Sequence, residues 1–263
     1  MPPFDPVPAA PGPGPQATVR TIRLTLEYDG SGYHGWQRQP NGLTIQEVVE
    51  TALAKLLGHT VRLHASGRTD AGVHALGQVA HFCSATTLPL AAFRDGLNSL
   101  LPRDIVVLSA AEAPPDFHAR YSAAAKTYEY RLLNRPVPSP LHRRTCWWLR
   151  RPLDLDRLQA ATQLIIGEHD FAAFQASGSE VKTTVRRVLS AAWQAQPGGW
   201  FSFRITANGF LRGMVRNLVG TMVEVGWGKR PVADMTRILA GRDRRQAGPT
   251  APAAGLFLVE VIY

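Results

Sequence analysis

The alternation of apolar and polar residues in TIRLTLEY, residues 21–28, restricts the fold more than any other feature of the sequence. Ile22, Leu24, Leu26 and Tyr28 fall on one side of an extended chain, and polar or charged residues fall on the other. Strands with this period lie with one face on a hydrophobic core and one toward water, which is typical of antiparallel sheets. The sequence therefore predicts such a sheet.

A helix and further strands follow in a recognisable order. Thr44 and Glu47 form a capping box and Gly58 follows the last turn, so the sequence predicts a helix between them. The apolar residues of this helix make one stripe, formed by Ile45, Val48, Val49, Ala52, Leu53, Leu56 and Leu57. The next predicted elements are two strands, a helix and a strand, at 61–66, 78–84, 90–101 and 104–110. The resulting β-α-β-β-α-β order is typical of ferredoxin-like and RNA-recognition domains.

The second half of the chain repeats this theme. Its predicted strands lie at 127–133, 145–150, 200–207 and 256–263. Its predicted helices lie at 155–166, ending at Gly167, and from Phe210 to residue 226. The prediction is an α/β (α+β) fold of two ferredoxin-like or RNA-recognition-type halves. It has mainly antiparallel sheets, helices packed on one side, an active-site cleft between the halves, and domains at 20–115 and 116–263.

The composition indicates which class of partner the protein binds and in which compartment it works. The chain carries 29 Lys and Arg against 20 Asp and Glu, a formal net charge of +9, which favours association with polyanions. Cys83 and Cys146 form no CxxC pair, which argues against a disulfide framework or zinc motif and favours a reducing, cytoplasmic location. No apolar run is long enough to predict a membrane span. Seven prolines in the first fifteen residues predict a disordered, polyproline-like tail over residues 1–19.

Arg68 and Asp70 stand close together in the stretch ASGRTDAGVHALGQ, residues 65–78. This stretch is a glycine-bounded loop between predicted strands, a place where scaffolds often present chemistry. An equally ordinary interpretation is a tight turn, in which an Asp before Ala-Gly bonds through its side chain to nearby backbone N–H groups.

Arg212 and Arg216 lie four residues apart on the helix predicted from Phe210. They form either a solvated basic face or a site where one arginine turns inward to meet a carboxylate, with Asp70 as the partner. An opposing charge keeps a buried carboxylate ionised, and an ionised Asp can act as nucleophile or general base.

Aromatic residues stand among basic ones in two stretches, as expected where cations follow phosphates and rings stack on unpaired bases. The first contains Arg120, Tyr121, Lys126, Tyr128 and Tyr130, and the second contains His142, Arg143, Arg144, Trp147, Trp148, Arg150 and Arg151. Core packing is the alternative for Tyr128, Tyr130 and at least one of the two tryptophans. His64, His74 and His81 are too irregularly spaced, and lack accompanying ligands, to predict a metal site.

Several blocks of this sequence resemble those of the bacterial tRNA pseudouridine synthase A family, in the same order. They include SGRTDAGVHALGQVAHF, LEYDGSGYHGWQRQ, FHARYSAAAKTYEYR, GEHDFAAF and GFLRGMVRNLVGTMVEVG. The resemblance runs from about residue 20 to the C-terminus. It implies an enzyme without cofactor or metal that isomerises uridine to pseudouridine at positions 38, 39 and 40 of the tRNA anticodon stem-loop. It also implies a homodimer in which tRNA contacts both subunits across a basic cleft.

The same resemblance assigns roles to five residues. Asp70 matches the catalytic aspartate, and Arg68 matches the arginine associated with guiding or replacing the flipped-out nucleotide. Tyr128 matches the tyrosine against the target base, Arg216 matches the arginine that pairs with the catalytic carboxylate, and Leu256 falls in the segment that lines the pocket. We expect Arg143, Arg144, Arg150 and Arg151 to belong to the RNA surface.

Some alternatives stay open at the level of sequence. Asp70 could attack the sugar C1′, attack the base C6, or promote an elimination at the sugar, and Tyr128 is a hypothetical base for the C5 proton. Two recognition-type halves with basic surfaces also fit a non-catalytic RNA-binding or RNA-chaperone protein. A pseudouridine synthase with another RNA target is a further alternative.

Overall fold

The first strand is built as its alternation predicts. The computed structural model describes residues 18–176, 178 and 181–263, so most of the predicted tail lies outside the described residues. β1 (Val19–Tyr28) is the first element, and Ile22, Leu24 and Leu26 are completely buried. Burial of this apolar row anchors β1 on the core.

The first half contains the predicted β-α-β-β-α-β order. Its remaining elements are α1 (Ile45–Leu57), β2 (His64–Ala65), β3 (His74–Ala85), α2 (Leu97–Leu100) and β4 (Ile105–Ala113). A π-helical segment, Ala92–Gly96, leads into α2. The Thr44 side chain accepts a hydrogen bond from the Glu47 N–H at 3.4 Å, and Gly58 ends α1 at a φ of 76°, as the capping pattern predicts.

The second half has the same kind of order with additional elements. Its strands are β5 (Ala125–Asn134), β6 (Trp147–Leu149), β7 (Gly167–Asp170), β8 (Val185–Gln196), β9 (Trp200–Ala207) and β10 (Leu256–Ile262). Its helices are α3 (Leu155–Gln163), α4 (Met214–Gly226) and α5 (Asp234–Gly241). α3 packs against α4 and β8, and α4 packs against β5.

The two halves repeat one strand order. The strands form a ten-stranded sheet in the order β4-β1-β3-β10-β5-β9-β8-β7, with β2 paired to β3 and β6 paired to β5. Within the first half the order β4-β1-β3-β2 is antiparallel throughout, and β10-β5-β9-β8 has the same connections in the second half. The mainly antiparallel fold class with two related halves is therefore confirmed.

A short parallel contact joins the halves into one sheet. His74 and Ala75 of β3 pair with Phe257 and Leu258 of β10. β10 and β2 therefore share one edge of β3, because β2 pairs with this strand farther along, at Ala80 and His81. The boundary predicted between residues 115 and 116 falls in the connection between β4 and β5, and the division into two domains stays a prediction.

Two strand predictions near the Asp70 loop were wrong in extent. The strand predicted at 61–66 is reduced to β2, and β3 begins at His74 rather than at residue 78. Gly77 lies inside β3, where a Cβ atom would come within 2.5 Å of the Val259 carbonyl oxygen of β10. A glycine in a strand often marks such a close backbone approach. Here it interrupts the apolar pattern, so the pattern did not predict the part of β3 before residue 78.

The helix predicted from Phe210 begins only at Met214. Gly213 precedes it with a φ of 71°, a left-handed conformation that interrupts the helix, so Arg212 does not lie on α4. α3 likewise ends at Gln163, and Gly167 begins β7 instead of capping a helix. The sequence patterns also missed β7, β8 and α5. In the part of the chain that is described, no helix is long and apolar enough to cross a membrane.

Candidate active site

The loop that carries Asp70 is fixed from both sides. The Thr69 carbonyl accepts a hydrogen bond from the Trp36 N–H at 3.0 Å, and the Thr69 hydroxyl lies 2.9 Å from the hydroxyl of Tyr28. The Val73 N–H donates to the Asp70 carbonyl at 3.1 Å, and Gly72 has a φ of 76°. The loop is thus a tight turn, but backbone bonds close it. Among the described residues, the Asp70 carboxylate makes none of the bonds to nearby backbone N–H groups that the turn interpretation expected.

Two arginines reach the Asp70 carboxylate. Arg216 Nη1 lies 3.6 Å from Asp70 Oδ2, and Arg212 Nε lies 3.9 Å from Asp70 Oδ1. The Arg216 side chain is 20% exposed and also donates through Nε to the Ala251 carbonyl at 2.7 Å, whereas the Arg212 side chain is 58% exposed. Of the two alternatives that the sequence left open, the inward arginine therefore describes Arg216, and the solvated face does not.

Tyr128 lies beside this pair on β5. Its side chain is 8% exposed, and its ring packs edge-on against Phe210 with centroids 4.9 Å apart. Burial, followed by the charges of Tyr28 and Asp70, raises the pKa of Tyr128 well above its ordinary value. The phenol consequently holds its proton at neutral pH, which weighs against a resting phenolate as the base. Phe210 was predicted as part of a helix stripe, but it precedes α4 and packs on Tyr128.

Leu256 and Arg68 differ in burial. Leu256 begins β10, is 6% exposed, and pairs with Tyr130, two residues beyond Tyr128 on β5. Arg68 is exposed, and its Nε donates to Gln37 Oε1 at 3.1 Å. Leu256 is thus packed beside β5, and Arg68 is exposed to solvent on the loop.

Comparison with known proteins identifies the family. A family model described as tRNA pseudouridine synthase matches residues 25–122 and 161–263. The chain belongs to the tRNA pseudouridine synthase family. It is 53% identical over 245 residues to tRNA pseudouridine synthase A of Syntrophotalea carbinolica, covering 93% of this chain and 97% of that relative. It is 48% identical over 242 residues to tRNA pseudouridine synthase A of Myxococcus xanthus, covering 92% and 91%.

A solved structure described as "Crystal Structure of a Cbf5-Nop10-Gar1 Complex" is also similar, at 16% identity and a TM-score of 0.36. That match covers 90% of this chain and 48% of the other, and it is too weak to support an argument. The predicted family and activity are confirmed by the family model and the relatives: the synthase is an isomerase that makes pseudouridine. The non-catalytic RNA-binding alternative is disfavoured for the same reason.

The arginines predicted for the RNA surface lie outside the Asp70 loop. All four of them, Arg143, Arg144, Arg150 and Arg151, are exposed. Arg144 nevertheless influences a residue of the first half, Asp29. Burial alone would raise the pKa of Asp29, but hydrogen bonds from Ser31 and the charges of His74 and Arg144 lower it. Of the neighbouring aromatic residues, Trp147 packs against the core and Trp148 is 38% exposed, while Tyr130 is buried.

The three histidines considered as metal ligands, His64, His74 and His81, do not lie together in the synthase. His64 and His81 stack with ring centroids 5.3 Å apart, whereas His74 stacks on Phe257. Within residues 18–176, 178 and 181–263, no group of three or more His, Cys, Asp or Glu side chains is placed to hold a metal ion. Sequence reasoning missed His118, which packs on both His64 and His81. Its position in the stretch FHARY gave no periodic signal.

Proposed function

We propose that the synthase isomerises uridine at positions 38, 39 and 40 of the tRNA anticodon stem-loop, with Asp70 as its catalytic residue. The observation that carries this proposal is the Asp70 carboxylate, presented by a fixed turn and paired with Arg216 beside Tyr128. The choice of positions rests on the sequence resemblance, and relatives named tRNA pseudouridine synthase A support tRNA as the substrate.

The reaction requires the base to leave the helical stack. Detachment and rotation of uracil are impossible inside a stacked stem, so the nucleotide is flipped out, which costs a few kcal/mol. Arg68, exposed at the loop, guides the nucleotide or fills the space it vacates. Tyr128 contacts the extruded base, and Leu256 contributes apolar surface to the pocket wall. The interactions of these residues offset part of the energy of extrusion.

The bond changes are the same for each chemical route. The C1′–N1 bond breaks, the uracil rotates, and a C1′–C5 bond forms; the C5 proton is then lost and N1 gains a proton. The Asp70 carboxylate attacks C1′, attacks C6 or promotes elimination at the sugar, and Arg216 holds it ionised and oriented. Tyr128→Phe keeps the ring and removes the phenol, so full activity in that variant would eliminate Tyr128 as the base.

The decisive experiment follows tritium release from tRNA transcripts labelled at uridine C5. We expect release by the wild type only from transcripts with uridine at 38, 39 or 40, and none by Asp70→Asn. This substitution preserves the shape of the side chain and removes its charge, so unchanged tRNA binding and an unchanged melting temperature serve as controls. Release by Asp70→Asn at the wild-type rate would remove the carboxylate from the mechanism. Release from uridines elsewhere would correct the target positions.

The assembly and compartment belong to the same proposal. The synthase acts as a homodimer in the cytoplasm, with tRNA in contact with both subunits, and Arg143, Arg144, Arg150 and Arg151 form part of the RNA surface. Support for the dimer comes from the sequence resemblance. Sedimentation of the purified chain with and without tRNA tests it, because a single-chain mass under both conditions would contradict a dimer.

A further inference from the structure

Lys126 connects the second half of the synthase to the loop of the first half. It lies on β5, and its Nζ donates a hydrogen bond to the Ser66 carbonyl at 2.6 Å. Side chains two apart on a strand share one face, so Lys126 lies on the same face of β5 as Tyr128. One strand therefore carries both Tyr128 and the residue that contacts the start of the Asp70 loop.

Ser66 lies at the start of the Asp70 loop and is held by several hydrogen bonds. Its N–H donates to the Val79 carbonyl at 2.7 Å, and its hydroxyl donates to Gln78 Oε1 at 2.7 Å. The Gln78 amide in turn donates to the Gly67 carbonyl at 2.9 Å. Ser66 and Gln78 are both completely buried. Lys126 completes this network, because it satisfies the Ser66 carbonyl.

The surroundings of Lys126 are unfavourable to its charge. Burial, followed by the charge of Arg120, lowers the pKa of Lys126 to about 8. A Cβ atom at Gly67 would lie 3.3 Å from Lys126 Nζ, so the chain is closely packed around the amine. A cation kept in such a place is better explained by the bond it makes to Ser66, four residues before the catalytic carboxylate, than by solubility.

We propose that Lys126 is a positioning residue for pseudouridine formation: it holds the Ser66–Gly67 backbone so that the Asp70 carboxylate stays aligned with Arg216 and Tyr128. The inference rests on the catalytic role proposed for Asp70. Misplacement of a reacting group by about 1 Å can lower a rate about 100-fold. Lys126 therefore acts on the chemical step and leaves tRNA affinity unaffected.

Lys126→Met tests the proposal, since it keeps the length of the side chain and removes the donor. We expect single-turnover tritium release to slow by about 10- to 100-fold, with the dissociation constant for tRNA changed by less than about twofold. Lys126→Arg should recover most of the rate, because its guanidinium donors reach the same carbonyl. Lys55→Met, which removes an exposed lysine of α1, is the matched control and should keep the wild-type rate.

Hydrogen exchange supplies a second measurement. Amides of residues 66–70 should exchange faster in Lys126→Met than in the wild type, while those of α1 stay unchanged. Should Lys126→Met fail to fold, Lys126→Gln, whose amide is too short to reach Ser66, replaces it. A wild-type rate in either variant would overturn the proposal, and so would a loss confined to tRNA affinity. Asp70→Asn is assayed in parallel, because activity there would contradict the proposed function instead.

Discussion

Arg216 and Arg212 reach the same carboxylate but differ in how they are held. Arg216 is 20% exposed and is fixed to the Ala251 carbonyl, whereas Arg212 is 58% exposed. Exposed ion pairs contribute little, because water and salt screen them. A guanidinium that is shielded and hydrogen-bonded keeps its geometry during the reaction. Substitutions of the two arginines are thus expected to change the reaction rate by different amounts.

We expect Arg216→Ala to lower the single-turnover rate by about 100-fold or more, because the carboxylate loses its oriented partner. Arg212→Ala removes a solvent-exposed contact, so its rate should stay within about threefold of the wild type while its tRNA affinity falls. Tritium release at saturating tRNA distinguishes the two outcomes. Equal loss of rate in both variants would mean that the difference in exposure has no kinetic consequence.

His81 makes stability depend on pH. Burial, followed by the charges of His118 and His64, lowers the pKa of His81 from 6.5 to about 4. A histidine with a lowered pKa stabilises the fold fully above its unfolded value, and this contribution is lost as the pH falls from about 6.5 to about 4. Ala119 N–H donates to His81 Nδ1 at 3.2 Å, a bond that protonation breaks.

His81→Asn keeps an acceptor for this bond and does not titrate. Urea denaturation between pH 7 and pH 4.5 should therefore give a shallower loss of unfolding free energy in the variant than in the wild type. The difference should approach about 1.4 kcal/mol per pH unit, the contribution of one proton. Parallel curves for the two proteins would show that His81 takes up no proton in this range.

At the scale of elements, α1 and α4 show when the ends of a helix can be predicted from its sequence. The start and end of α1 were predictable because Thr44 and Gly58 are local signals. The start of α4 was not, because Gly213 breaks the helix inside an apolar stripe that continues to Phe210. β8 was missed because its apolar residues do not alternate, and its register shifts between Val188 and Ser190.

α4 is buried nearly all round, and Gly220 lies where the segment of Pro249 approaches the helix closely. A Cβ atom there would collide with the Pro249 carbonyl. This segment continues to Ala251, which accepts the hydrogen bond from Arg216. We expect Gly220→Ala to lower the unfolding free energy by about 1–3 kcal/mol and also to slow tritium release. Gly32→Ala, which meets open space, is the control for urea denaturation and should change stability by less than about 0.5 kcal/mol.

At the scale of the whole molecule, the order of elements in each half was predictable, and the way the halves join was not. Periodicity reports which face of a strand is buried, but it says nothing about which free edges meet. The parallel pairing of β3 with β10 joins His74 to Phe257, residues far apart in the sequence. Charge offered a pairing of Asp70 with one of two arginines as an alternative, and the resemblance specified Arg216. The contact of Lys126 with Ser66 uses a backbone carbonyl that no side-chain pattern marks.

The surface arginines allow a prediction for the complete complex with tRNA. The formal net charge of +9 favours binding to a polyanion, but only cations at the interface release counterions. Arg143 and Arg144 are exposed and precede β6, and Arg144 acts on Asp29 in the other half. A position beside both halves is suited to contacting an RNA that lies across them.

Arg143→Glu combined with Arg144→Glu should weaken tRNA binding. It should also lower the slope of log K against log salt by about 0.7 to 0.9 for each phosphate contact that is lost. Filter binding between 50 and 300 mM salt measures both quantities. Arg150→Glu combined with Arg151→Glu tests the other pair, and Lys55→Glu on α1 is the control for net charge alone. A slope that matches the control would place that pair outside the interface, because a change in overall charge shifts affinity without removing a phosphate contact.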